Sequence, residues 1–232
     1  MEDKTIGILG GMGPLTTITL AEKIIEKTPA KNDQEHLRMI IYNNAKIPSR
    51  IDSIIKNSES PQLELEKSAQ ILEKAGADFI IIPCNTAHYW YKDICLSVKI
   101  PVLNIIEETT KYVVNHFQSG SVLLLGTEAS IKVGLYEKEF HKHNREITIP
   151  NQDEQEVINL AINEVKAGQV VGNKAIQDMA NIIEKYNRNG TRTIIAGCTE
   201  ISILLPHLPS CEKIDPLEIL AERAVKEAKM KR

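Results

Sequence analysis

The chain has no apolar run approaching the roughly 18–20 residues that a membrane span needs, so no membrane partner is expected. It has no surplus of positive charge either. Its 28 Lys and Arg stand against 31 Asp and Glu, for a formal net charge of −3, and a basic face for nucleic acid has little electrostatic support. The first residues, MEDKTIGILGGMGP, hold only a short apolar stretch that ends at glycines. A signal peptide needs a longer stretch and a small-residue cleavage site, so a cytoplasmic location is the default expectation. Cysteine is scarce: Cys84, Cys95, Cys198 and Cys211 are the four, and none forms a C-x-x-C pair. Disulfides are not expected in a reducing compartment, and a structural zinc site is poorly supported. Cys84 and His88 are spaced as neighbours on one helical turn, but two ligands do not make a site, so no metal is expected. The glycine-rich turn Gly10-Gly11-Met12-Gly13-Pro14 fails the G-x-G-x-x-G pattern. The second strand ends in Tyr42-Asn43-Asn44 rather than an acidic residue, which argues against a dinucleotide-binding module.

What is present is ordinary globular material, 42% hydrophobic and 25% charged, enough for one large domain or two small ones. Strand-like runs fall at Thr5–Leu9, Arg38–Tyr42, Phe79–Pro83, Val102–Asn104, Ser121–Leu125, Glu146–Ile149 and Thr193–Ala196. Most are short and nearly continuously apolar, as strands buried on both faces of a parallel sheet should be. Amphipathic stretches separate them: Leu63–Ala75 before Gly76, Asp153–Ala167 before Gly168, and Lys174–Asn187 before Asn189-Gly190. Such glycines are helix stop signals. The alternation predicts an α/β fold with largely parallel sheets.

A weak internal repeat runs through the chain. One strand leads into Gly10-Gly11 and a similar one into Gly126-Thr127; each half later has an apolar strand ending at a cysteine, FIIIP-Cys84-Asn85-Thr86 and TIIAG-Cys198-Thr199-Glu200. Gly10 lies 74 residues before Cys84, and Gly126 lies 72 before Cys198. A cation follows each glycine by 40 residues, Arg50 in what reads as a loop and Lys166 at the end of a helix. The repeat predicts two similar Rossmann-like domains, 1–105 and 106–215, with the final helix 216–232 packing back on the first. Two such halves would place equivalent groups on opposite sides of one cleft.

Each cysteine sits where a buried strand turns into a helix, the end of an open α/β sheet at which ligands bind. A helix start offers free N–H groups and a positive dipole end, which can hold a carboxylate and lower a thiol's pKa. A single buried cysteine is often only a small apolar filler. Two at matched positions in matched halves favour thiol chemistry.

The segments IGILGGMGPLTT at 6–17, NNAKIPSR at 43–50, PCNTAHYW at 83–90 and AGCTEI at 196–201 resemble the aspartate/glutamate racemase family, most closely its aspartate racemases. The resemblance implies two domains related by pseudo-twofold symmetry, an active site in the cleft between them, no pyridoxal phosphate or other cofactor, no metal, and commonly a homodimer. It implies an isomerase acting on a small dicarboxylic amino acid, with Cys84 serving the D-enantiomer as base and Cys198 the L-enantiomer. Two thiols on opposite faces of the α-carbon can exchange the roles of acid and base with direction. Arg50 and Lys166 look like the family's cations for the two carboxylates. Asn85, Thr86, Thr127 and Thr199 are candidate donors to the α-carboxylate as charge develops there. Glu200 is expected to neutralise the substrate ammonium, and glutamate there, where glutamate racemases usually have histidine, resembles the aspartate enzymes. Met12 is expected to line the cleft floor between close-approaching glycines. His88 reads as packing, Tyr89, Trp90 and Tyr91 as core or subunit cover, and Cys95 and Cys211 as structural. Relatives often carry Asp before the IPSR arginine and Thr after it. This chain has Ser49 and Ile51, a difference that bears on side-chain specificity. Other readings on the same architecture are a glutamate or broad-specificity racemase, a maleate isomerase-like enzyme or decarboxylase, and a non-catalytic ligand-binding protein.

Overall fold

A computed structural model of the chain describes residues 3–117 and 120–230. In chain order the elements are β1 (Ile6–Gly10), α1 (Pro14–Lys27), β2 (Met39–Asn43), α2 (Arg50–Lys56), α3 (Gln62–Lys74), β3 (Phe79–Ile81), α4 (Tyr91–Ser97) and α5 (Ile105–His116), then β4 (Val122–Leu124), α6 (Glu128–Lys132), α7 (Leu135–His141), α8 (Gln152–Lys166), α9 (Ile176–Arg188), β5 (Thr193–Ile195), α10 (Thr199–Leu204), β6 (Glu212–Ile214) and α11 (Pro216–Lys229). The chain divides into two compact units, Met1–Glu108 with Leu217–Arg232, and Thr109–Pro216. The fold is α/β, and each unit is built on a parallel three-stranded sheet, ordered β2-β1-β3 in the first and β4-β5-β6 in the second.

Continuous apolar runs become strands here because both faces of each sheet are covered. All five residues of β1 and all three of β3 and of β4 are buried. In the first unit Leu65, Ala69 and Leu72 of α3 pack with Ile80, Ile82, Trp90 and Ile94. In the second, Ile158, Ala161, Ile162 and Val165 of α8 and Met179 and Ile183 of α9 pack with Leu123, Ile194 and Ile201. The start of α8 is fastened by a capping box in which Asn151 and Glu154 satisfy each other's backbone N–H groups. The same Glu154 takes hydrogen bonds from Lys185 Nζ at 2.6 Å and the Tyr186 hydroxyl at 2.9 Å, joining α8 to α9. Burial pushes this carboxyl up, but Lys185, the Asn151 N–H and Tyr186 together outweigh it and hold the group below its ordinary range.

The first unit closes with α11. Leu217, Leu220, Ala221 and Ala224 of that helix are fully buried. Ion pairs from Lys23 to Glu218, from Lys27 to Glu218 and Glu222, and from Lys4 to Glu227 tie it to α1 and to the residues before β1.

Two expected strands shrink to single bridges. Of Val102–Asn104 only Val102 pairs, beside Ile80, and of Glu146–Ile149 only Thr148 pairs, beside Leu123. The strand β6, Glu-Lys-Ile, was not expected; it is short and two of its three residues are charged, so it carries no hydrophobic signature. Counting the two bridges, both units have the same internal order of four positions. The first runs β2, β1, β3, Val102 and the second Thr148, β4, β5, β6. In each, the strand ending in a glycine turn lies beside the strand that leads to a cysteine.

Candidate active site

In the first unit the site is built on the carboxyl ends of β1 and β3. Gly11 follows β1 with φ +98°, and a Cβ there would collide with the Asn44 carbonyl, so glycine is required on both conformational and steric grounds. The turn is held from α1. The Gly11 N–H donates to Thr17 Oγ1 at 2.9 Å, and the Thr17 hydroxyl donates to the Gly13 carbonyl at 2.9 Å. Met12, 2% exposed, belongs to one apolar cluster with Cys84, Ala87 and Trp90.

Cys84 is the third residue past the end of β3 and is buried. The element after it is a 3-10 helix of five residues, Thr86–Trp90, not the expected α-helix. What holds Cys84 is His88. Its Nδ1 lies 2.9 Å from the Cys84 carbonyl, and the Ile105 N–H donates to its Nε2 at 3.3 Å. A carbonyl can only accept and an N–H can only donate, so the neutral ring protonated on Nδ1 satisfies both of these contacts. Burial agrees, pushing His88 down to about 4. The ring also stacks on Tyr91, with centroids 5.7 Å apart. His88 is therefore a brace for the cysteine turn, where the sequence showed only packing; its i+4 spacing from Cys84 was the available signal. Asn85 and Thr86 are buried beside it.

Arg50 is the first residue of α2, not a loop residue. Ser49, one of the departures from the family pattern, caps this helix by accepting from the Asp52 N–H at 3.1 Å. The helix packs against the 3-10 turn that follows Cys84. Arg50 Nη1 donates to the Ile47 and Pro48 carbonyls at 3.2 and 3.0 Å. Its Nε is buried with no hydrogen-bond partner among the described residues.

The second unit repeats the plan with different chemistry. Thr127, after β4, caps α6 by accepting from the Ser130 N–H at 3.0 Å. The carbonyl of Gly126 accepts from Gln155 Nε2 at 2.9 Å. Cys198 is the third residue past β5 and the N-cap of α10, with extended backbone. Thr199 and Glu200 are buried at 1% and 3% exposure. The Cys198 thiol donates to Glu200 Oε2 at 2.9 Å, so the carboxylate expected for an ammonium group is engaged with the sulfur. Burial, then the Glu200 charge, pushes this thiol well above its ordinary value, and Lys166 opposes the rise. Lys166 is exposed at the end of α8 but near enough to Cys198 for its charge to be felt. The expected lowering of the Cys198 pKa by a helix start does not occur. The helix has only six residues, and burial, together with the carboxylate, outweighs it.

All four cysteines are free, Cys95 and Cys211 being half-buried. Among the described residues no cluster of three His, Cys, Asp or Glu side chains is placed to hold a metal ion, and no helix is long and apolar enough to cross a membrane.

Comparison with known proteins bears on this site. The family model described as Asp/Glu/hydantoin racemase matches residues 9–224. The chain is 31% identical to the broad-specificity amino-acid racemase of Bacillus subtilis, over 88% of this chain and 89% of that one. It is 26% identical to a glutamate racemase of Desulforudis audaxviator, over 88% of this chain and 70% of that protein. Among solved structures, the aspartate racemase of Picrophilus torridus superposes with a TM-score of 0.83 at 33% identity, covering 97% of this chain and 94% of that one.

Proposed function

The chain belongs to the Asp/Glu/hydantoin racemase family, and on that premise we propose that it racemises an acidic amino acid, aspartate first, using two cysteines and no cofactor. One observation carries the reading. Both units place a buried cysteine third past the end of a parallel strand, beside a strand that ends in a glycine turn. Racemisation needs a base on one face of the α-carbon and an acid on the other. Cys84 and Cys198 fill those roles, with Cys84 taking the α-proton of the D-enantiomer and Cys198 that of the L-enantiomer.

Arg50 holds one substrate carboxylate. With Nη1 held by two carbonyls, Nε and Nη2 present the forked pair of donors that a carboxylate takes side-on. Lys166 holds the other carboxylate. Charge developing on the α-carboxylate as the proton leaves is met by donors from Asn85, Thr86, Thr127 and Thr199, and Met12 supplies an apolar wall. The likeness to a broad-specificity racemase places glutamate and other amino acids among the substrates to be tried.

The test is incubation of the purified protein, without added cofactor, with each enantiomer of aspartate and glutamate in deuterium oxide, followed by chiral analysis and α-deuterium measurement. The expected result is inversion coupled to α-deuteration. Cys84→Ser and Cys198→Ser each abolish inversion, while each still labels one enantiomer without inverting it. Full racemisation by either single variant defeats the two-base mechanism.

A further inference from the structure

We propose that Glu200 is the proton partner of Cys198: the thiol and the carboxylate hold one proton in common, and Cys198 becomes a base by handing that proton to Glu200. The inference rests on the reading of Cys198 as an acid–base thiol given above.

The geometry is specific. Cys198 Sγ and Glu200 Oε2 are 2.9 Å apart, and both residues are buried. The other oxygen, Glu200 Oε1, is buried with no hydrogen-bond partner among the described residues. The contact forms because Cys198 is extended at the N-cap while Glu200 is the second residue of α10, so the carboxylate swings back over the cap. Thr86 holds the corresponding place after Cys84, so no carboxylate stands at that position of the first unit. The other charged or titratable groups that act on the pair come from packed elements, Lys166 on α8 and Tyr136 on α7.

Two negative charges this close, out of water, are not held together, so such a pair keeps one proton between them. In the resting pair the proton is on sulfur and Glu200 is ionised. When Cys198 acts as base, the S–H bond breaks and an O–H bond forms on Oε2, giving thiolate and carboxylic acid. The thiolate then takes the α-proton, becoming thiol again, and the electron pair of the broken C–H bond stays on the substrate. The thiol of Cys84 delivers its proton to the opposite face and is left as thiolate. Return of the Glu200 proton to Cys84 by way of solvent restores the starting state. No oxidant, reductant or further reactant is needed.

The consequence is a rate that ignores pH. An internal transfer from Sγ to Oε2 has the same equilibrium at every pH at which the pair keeps a single proton. Without the carboxylate, the thiolate forms only by losing its proton to solvent, and its amount rises about tenfold per pH unit below the thiol pKa.

The test measures α-hydrogen exchange into aspartate in the Cys84→Ser protein, where Cys198 is the remaining base, from about pH 6 to 8.5, with and without Glu200→Gln. A flat profile is expected with Glu200, and a profile climbing about tenfold per pH unit with Gln. In the Cys198→Ser protein, where Cys84 performs the exchange with no carboxylate partner, the slope is already present and the same substitution leaves it unchanged. A flat profile in the Gln variant overturns the proposal. So does an equal loss of exchange in both cysteine backgrounds, which would make Glu200 a binder of the substrate ammonium. A second measurement is independent of turnover. In a protein retaining only Cys198 (Cys84, Cys95 and Cys211→Ser), the infrared S–H stretch should lie at lowered frequency and move back up with Glu200→Gln. An unmoved band refutes the pairing. If neither cysteine background exchanges α-hydrogen, the racemase reading fails, and the S–H band still decides whether Glu200 holds the thiol's proton.

Discussion

Replacing His88 by Gln tests whether the neutral imidazole braces the Cys84 turn. The ring is 6% exposed and bonds the Cys84 carbonyl on one side and the Ile105 N–H on the other. Gln can serve one of these groups well and the other poorly, so at pH 7 the variant should lose about 1–2 kcal/mol, the usual cost of an ill-satisfied buried polar group. The ionisation of His88 adds a second effect of opposite trend. Burial lowers its pKa from 6.5 to about 4. Between those values the unfolded chain takes up a proton at this site and the folded protein does not. The stabilisation is therefore complete above about pH 6.5 and drains away as the pH falls toward 4. At 1.36 kcal/mol per pH unit, the loss reaches about 3 kcal/mol. The variant has no such loss, since Gln does not titrate. The stability curves of the two proteins should then cross between about pH 5 and 6, with the parent more stable above and the variant more stable below. Urea unfolding at half-unit steps from pH 4 to 8 measures the difference, and other carboxylates cancel because both proteins share them. Parallel curves over that range would refute the neutral, doubly bonded imidazole. Kinetics supply a companion reading: a displacement of Cys84 by about 1 Å should lower kcat by roughly 10²-fold.

Two further outcomes follow from the site. Gly11→Ala must place a side chain at φ +98° and against the Asn44 carbonyl, so it should destabilise the first unit by more than about 2 kcal/mol, read as a lowered melting temperature. Arg50→Ala should raise KM for aspartate by at least tenfold while the melting temperature stays within a few degrees, because its donors serve only loop carbonyls and a proposed substrate; unchanged kinetics would make Arg50 an ordinary surface cation.

The architecture was legible where burial is two-sided. The runs that became β1, β3, β4 and β5 are apolar without alternation, and that is how strands covered on both faces must read. The edge strand β6 has one buried residue of three, and no pattern in three residues reveals it. The helix beginning at Arg50 was hidden by its shortness, although Ser49 with Asp52 three residues on is a recognisable start signal. The cysteines and their neighbours could be listed from the motifs. Their electrostatics could not, because the swing of Glu200 onto Cys198 depends on a single extended residue at the cap. The role of His88 depends on Ile105, 17 residues away, and local spacing does not reach that far.

Helix α11 lies at the far end of the chain yet belongs to the unit that opens it. The backbone is fastened there as well as the side chains, for the Lys4 N–H donates to the Ala228 carbonyl at 2.8 Å. On a ribosome, the second unit is therefore finished first. Everything from Thr109 to Pro216 can leave the exit tunnel and close on itself while the opening unit still shows water the apolar seat of Leu217, Leu220 and Ala224. During that interval the residues of the first unit that pack on α11 stay uncovered, while Thr109–Pro216 already holds all of its own core. A stop codon shortly after Pro216 would release a chain that keeps every residue of the second unit and lacks the helix that closes the first.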